Sequence, residues 1–240
     1  MNFRHQFSSY ALKEYDWFLP DLEKSYESNL SHNYIELAKN NWISYEKFTY
    51  KFNEIGFRSQ SVYENNILVL GCSYTFGIGV PYDKIWAYLI AEKIGLNLLN
   101  FGIPGCSPYS AFRIGWHTLK YLKPKMVIFL TPFNDRMPVI GKHLMYDIGP
   151  WYFKSNMTTH YTYFNKTAVE YYKEYVLNEE NLILSCEMAK LSMEQLCSNN
   201  NIKYINISVI DLELIDFGRD LAHPGIKSHE MFACKILNLM

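Results

Sequence analysis

The chain is short of the features that usually assign a protein quickly. Charged side chains make up only 20% of its 240 residues, and 23 Lys plus Arg against 24 Asp plus Glu leave a formal net charge of -1. That balance gives no electrostatic footprint for nucleic acid or an anionic membrane. No apolar run approaches the roughly eighteen residues that a membrane-spanning helix requires. The opening stretch, Met1-Asn2-Phe3-Arg4-His5-Gln6-Phe7, lacks the apolar segment and small-residue cleavage site of a secretory signal. Five cysteines, at positions 72, 106, 186, 197 and 234, are odd in number and lack CxxC spacing. Free thiols in a reducing compartment fit that pattern better than a disulfide framework or a zinc site. Gly71, Gly77 and Gly79 do not form a GxGxxG fingerprint, and no phosphate loop is present. The expectation is a cytoplasmic protein (in a host cytoplasm if viral), with no metal or cofactor and no nucleic-acid or membrane partner.

What is there describes a globular α/β domain. Hydrophobic residues make up 49% of the chain, enough for one well-buried core with insertions. Residues 1–62 are aromatic and polar, with local helical character around 10–26 and 34–45 and an extended stretch at 48–53. No Ser/Gly-rich linker follows, so they read as an extension packed on the main domain, residues 63–240. From Asn66 onward strands alternate with helices. Ile67-Leu68-Val69-Leu70 is a continuous apolar run, as in a central strand buried on both faces. A helix is expected over 83–94, with Gly95 as its stop, then a strand at 98–101, a helix over 109–122 and a strand at 126–130. Residues 143–178 lack periodicity and read as an insertion. A helix carrying Leu182, Cys186, Ala189, Met193 and Leu196, a strand at 203–207 and a last helix starting near Pro224 complete the pattern. Such alternation implies a parallel sheet with right-handed crossovers.

Ligands of open parallel sheets bind outside the carboxyl ends of the strands. Ser73 follows the first strand in Gly71-Cys72-Ser73-Tyr74-Thr75-Phe76-Gly77, Gly105 follows the second, and Asn134 the third. Asp220-Leu221-Ala222-His223-Pro224 lies ahead of the last helix. Singly, each has an ordinary reading. Ser73 could be a turn or N-cap residue, Gly105 part of a tight strand-to-helix loop, and Pro132-Phe133-Asn134-Asp135 a plain turn. Together, and in this order, they supply a hydroxyl on a sharp turn and an imidazole beside a carboxylate, the two halves of a serine hydrolase. Cys72 is a weaker candidate nucleophile, since the neighbour of an exposed turn residue points into the core. A metal site from Asp220, His223 and His229 is also disfavoured.

The set resembles the SGNH (GDSL-like) hydrolase superfamily over residues 66–240. Gly71-Cys72-Ser73 stands for its Gly-Asp-Ser block, Gly105 for its glycine, Asn134-Asp135 for its Gly-x-Asn-Asp block, and Asp220-Leu221-Ala222-His223 for its terminal Asp-x-x-His. Residues 72–80 and 223–229 are similar to a branch common in phage and marine-microbial sequences. Cys72 stands where the family has Asp, and Pro132 where it has Gly. The resemblance implies a flavodoxin-like three-layer α/β/α sandwich and a serine esterase, acting on a small acyl group such as acetyl, carried by a small molecule or a saccharide. Ser73 would be the nucleophile, His223 the base and Asp220 its orienting carboxylate. Ser73, Gly105 and Asn134 would form the oxyanion hole. Pro224 in the first turn of a helix would put His223 at a helix N-terminus. Tyr74, Phe133 and Trp151, with Phe76 and Tyr152, are candidates to face substrate or equally to belong to the core. An acyltransferase using the same residues, and a non-catalytic binding or structural protein such as a phage component, are the alternatives. The sequence does not disclose the oligomeric state.

Overall fold

The structure, a computed structural model, describes residues 5, 7–45, 47–62, 64–140, 145–153, 170–176 and 178–240. In chain order the strands are β1 (Glu14–Tyr15), β2 (Tyr50–Lys51), β3 (Asn66–Gly71), β4 (Asn97–Gly102), β5 (Met126–Thr131), β6 (Met137–Ile140), β7 (Met145–Ile148) and β8 (Lys203–Ser208). The helices are α1 (Glu23–His32), α2 (Tyr34–Lys39), α3 (Ser73–Phe76), α4 (Trp86–Ile94), α5 (Pro108–Leu119), α6 (Glu179–Asn199) and α7 (Ile226–Leu237).

A four-stranded parallel sheet in the order β4-β3-β5-β8 forms the centre. Numbered among themselves these strands run 2-1-3-4, the order in which flavodoxin-like sheets begin. All six residues of β3 and all six of β5 are buried, which is why both read as unbroken apolar runs. Leu68 sits in register between Leu99 and Val127. Helices α4 and α7 pack against each other on one face of the sheet, and α5 and α6 on the other. The layers are therefore α/β/α. Each fully buried Leu, Ile, Val or Phe contributes roughly 1.5–3 kcal/mol relative to exposure.

Residues 7–62 join the same core. Phe7 and Phe18 lie 5.9 and 5.3 Å from Phe76, ring centre to ring centre, and Tyr50 lies 5.9 Å from it. β1 pairs antiparallel with β2, Tyr15 opposite Tyr50.

Several element boundaries differ from expectation for local reasons. Helicity in 10–26 begins only at Glu23, because Pro20 lacks the amide a helix would need there. The helix expected from 83 starts at Trp86, since Tyr82–Lys84 is a 3-10 turn and Ile85 is extended. It stops as expected at Gly95, φ +70°. Ser107 caps α5 by accepting from Ser110 N at 3.1 Å, and the helix ends at Leu119 rather than 122. The last helix begins at Ile226, after Gly225, and not at Pro224. Of the insertion read over 143–178, residues 143–144, 154–169 and 177 lie outside the described residues. The described part includes β7, paired antiparallel with β6, and a π-helical turn at Tyr172–Val176.

Two buried histidines set the response to acid. His229 is fully buried, its Nδ1 accepts from Trp86 N at 3.2 Å, and burial pushes its pKa down to about 3. His5 is lowered to about 4, again mainly by burial, while its Nε2 bonds Ile55 O at 2.8 Å. Above the ordinary value of 6.5 both rings are neutral whether the chain is folded or not. Below it the unfolded chain takes up protons that the folded one refuses, so stability falls as pH drops toward the folded values. Urea midpoints should decline steadily from pH 7 to 4.5, and His229→Gln should flatten that decline. An equal slope in the variant would show that His229 does not contribute.

Candidate active site

β3 runs through a single residue into a short helix. Cys72 is extended and fully buried, Ser73 opens α3, and α3 closes after four residues at Gly77, φ +81°. Gly102, at the end of β4, makes room for this turn. A Cβ there would lie 2.5 Å from Phe76 N and 2.8 Å from Thr75 Cβ. From beneath, the fully buried Arg58 donates to Phe76 O at 3.1 Å, to Gly77 O and to Val80 O at 2.8 Å. It thus satisfies the carbonyls at the C-terminal end of α3 with a cation, the sign that end prefers. Burial lowers the Arg58 pKa to about 10, which still leaves it charged at neutral pH. Ser73 is 5% exposed, and its side chain makes no hydrogen bond among the described residues.

The Asp220–His223 loop folds around its own carboxylate. Asp220 Oδ1 accepts from Ala222 N at 3.2 Å and His223 N at 3.1 Å, and Oδ2 meets His223 Nδ1 at 2.5 Å. Burial pushes the carboxyl up, but the His223 hydrogen bond and charge, with the two amides, outweigh it and hold Asp220 below its usual range. Leu221 carries the turn at φ +54°, and Gly218 N donates to His223 O at 2.8 Å. With Nδ1 engaged, Nε2 is the free nitrogen, and Asp220 is the ring's only hydrogen-bond partner among the described residues. His223 does not sit at a helix N-terminus. Pro224 instead bridges to Phe217, and α7 is capped by Asp216, which accepts from Lys227 N at 3.0 Å and Ser228 N at 2.7 Å.

These loops share the carboxyl edge of the sheet. Ser73 follows β3 and Asn134 follows β5, so they flank the point where strand order reverses. Contacts run across the edge in sequence. The Tyr74 ring is 6.3 Å from His223 and 5.8 Å from Phe133, and the Arg136 guanidinium lies 5.1 Å from Phe133 and 5.2 Å from Trp151. Trp151 covers Gly105, where a Cβ would come within 3.3 Å of the indole. It is carried there by the Asp147 region, whose Oδ1 accepts from Ser107 N at 3.1 Å and Ser110 Oγ at 2.8 Å. Gly105 is itself at φ +75°. The Asn134 side chain is exposed and, with Arg136, lines a cavity of about 260 Å³ whose other walls include Tyr109, Pro138 and Leu182. Ser73 and His223 do not line that cavity.

The residues expected to meet are thus gathered at one edge, while Ser73 and His223 are not hydrogen-bonded to each other. Of the two readings open for Phe76, burial decides for the core: it is 0% exposed. The Tyr152 side chain lies outside what is described. Arg58, Arg136 and Arg219, none of them among the candidates above, also build the edge. Arg219 had one available signal, its place next to Asp220.

Gly79 fixes how the base loop docks. Its O accepts from Arg219 N at 2.9 Å, and a Cβ on it would lie 2.9 Å from that nitrogen and 3.1 Å from Asp220 Oδ1. Gly95 has a similar positive φ but open space around it. Gly95→Ala should cost only the left-handed backbone penalty, about 1 kcal/mol, and Gly79→Ala clearly more. Urea denaturation of the two variants checks this, and equal losses would contradict the docking argument.

No protein-family model matches the chain, and no curated protein matches it. Among solved structures the chain is similar to a member of the lipolytic protein G-D-S-L family from Veillonella parvula DSM 2008, at 17% identity, covering 73% of this chain and 97% of that one, with TM-score 0.37. It is similar to the psychrotrophic esterase EstA from Pseudoalteromonas sp., at 17% identity, covering 73% and 96%, with TM-score 0.36. An acetyl xylan esterase, AlAXEase, is similar at 16% identity, covering 73% and 99%, with TM-score 0.37.

Proposed function

We propose that the protein is a serine ester hydrolase in which Ser73 attacks and His223 moves the proton. The observation that carries this reading is the 2.5 Å contact of Asp220 with His223 Nδ1, on the sheet edge that also holds the unbonded Ser73 hydroxyl. Asp220 fixes the tautomer and leaves Nε2 to act. As Ser73 Oγ bonds to the ester carbonyl carbon, Nε2 takes the hydroxyl proton, and it returns that proton to the departing alcohol. Water then repeats the sequence on the acyl-serine and releases the acid. In the free enzyme a nucleophile and its base are commonly too far apart to bond, and they close when substrate binds.

The developing oxyanion would be met by the Ser73 amide, in a first helical turn where amides lack intrahelical acceptors, by the Gly105 amide and by the Asn134 side chain. Asn134 supports this reading, since its side chain is exposed and makes no hydrogen bond among the described residues. The partly exposed rings of Tyr74, Phe133 and Trp151 suit a small acyl group such as acetyl on a saccharide.

A fluorophosphonate probe should label Ser73, with labelling abolished in Ser73→Ala and strongly reduced in His223→Ala. Turnover of p-nitrophenyl acetate should fall about a hundredfold in Asn134→Ala, the usual loss for one oxyanion donor. Absence of Ser73 labelling in the folded wild-type protein would overturn the assignment and favour a binding role. A strong preference for an acyl acceptor over water would make it a transferase.

A further inference from the structure

The base loop and the nucleophile turn are fastened to each other by residues of the N-terminal segment. Asp21 is 1% exposed, and Arg219 7%. Arg219 Nη2 donates to Asp21 Oδ2 at 2.7 Å, and Nε lies 3.2 Å from each Asp21 oxygen. Nη2 also donates to Asp16 O at 3.0 Å, and the guanidinium lies between Trp17 and Phe48, 3.7 and 4.1 Å from the ring centres. Tyr50, fully buried, donates from Oη to Asp21 Oδ2 at 2.6 Å and accepts from Gly79 N at 2.8 Å. Arg219 N donates to Gly79 O at 2.9 Å and closes the circuit. Both peptide groups of Gly79 are thereby bound, one to the N-terminal segment and one to the residue before Asp220.

We infer that Asp21 and Tyr50 are positioning residues of the Ser73–His223 site, holding the base loop in register with the turn that bears the nucleophile. The inference rests on the catalytic reading given above. Neither side chain touches the reacting groups; each acts through Arg219 or Gly79. Misplacing a base by a fraction of an ångström lowers the rate of proton transfer without weakening substrate binding. Removing the clamp should therefore lower kcat and leave KM alone.

Tyr50→Phe keeps the ring in place and removes only the hydroxyl. Asp21→Asn keeps the shape and removes the charge. On p-nitrophenyl acetate, kcat should fall about tenfold in each with KM within about twofold, by the scale of such misplacements. In a His223→Ala background the same substitutions should have no further effect on the residual rate, whereas general destabilisation would lower it again. Amide hydrogen exchange gives a readout independent of activity: peptides covering 216–225 should lose protection in Tyr50→Phe while peptides covering β3 and β5 keep theirs. If Asp21→Asn does not fold, Tyr50→Phe decides. An active wild type with unchanged kcat in the folded variants overturns the positioning role and leaves the esterase reading intact. A wild type that never reacts at Ser73 overturns the esterase reading, and loop protection that survives Tyr50→Phe then overturns the clamp itself.

Discussion

A carboxylate and a guanidinium separated by 198 positions in the chain meet behind the site, with a phenol bridging them to the backbone of Gly79. Such a pair is not an obvious source of stability. Taking both ions out of water costs several kcal/mol each, and their attraction offsets this only where every donor and acceptor is used. Here the geometry comes close to that condition. Asp21 receives Arg219 and the Tyr50 hydroxyl, and Arg219 lies between two aromatic faces. An arrangement with so many directional bonds has few near alternatives. Its effect is to select one docking of the base loop, where an apolar contact would permit several.

Arg58 performs the complementary task on the nucleophile side. It stacks 4.4 Å from the Tyr50 ring and holds the carbonyls of Phe76, Gly77 and Val80. Arg58 binds the turn after Ser73, Arg219 binds Asp21, and Tyr50 joins the two, its ring under Arg58 and its hydroxyl on Asp21. Asp21, on the second arginine, is the anion of this cluster. The N-terminal segment contributes Asp21, Tyr50 and Arg58, so the edge of the sheet that holds Ser73 and His223 is built jointly by both parts of the chain.

Much of the fold was legible because its causes are local. An apolar run with no alternation declares a strand buried on both faces, and β3 and β5 are buried at every position. Gly95 stopped α4 because only a residue free to take a positive φ can end it there. The turns after β3, β4 and β5 are legible for the same reason, each following a strand end, whereas the Asp220–His223 loop precedes a helix. What was not legible depends on partners distant in sequence. Nothing near Asp21 marks it as the counter-ion of Arg219. Asp216 caps α7 from outside the helix, so the start at Ile226 could not be read from Pro224. The turn alone leaves Phe76 open between substrate and core, and packing against Phe18 and Tyr50 puts it in the core.

The thiol at position 72 follows from the same physics. An aspartate at that position, fully buried behind the nucleophile, would need donors to balance its charge. Arg58, which braces the turn, is occupied by three carbonyls of the turn and following segment. A small apolar-tolerant side chain fits such a place without asking for a partner. The turn is braced by a guanidinium that arrives from the N-terminal segment. The turn that bears Ser73 and the brace behind it are therefore separate features of the sequence, one at residues 71–77 and the other at Arg58.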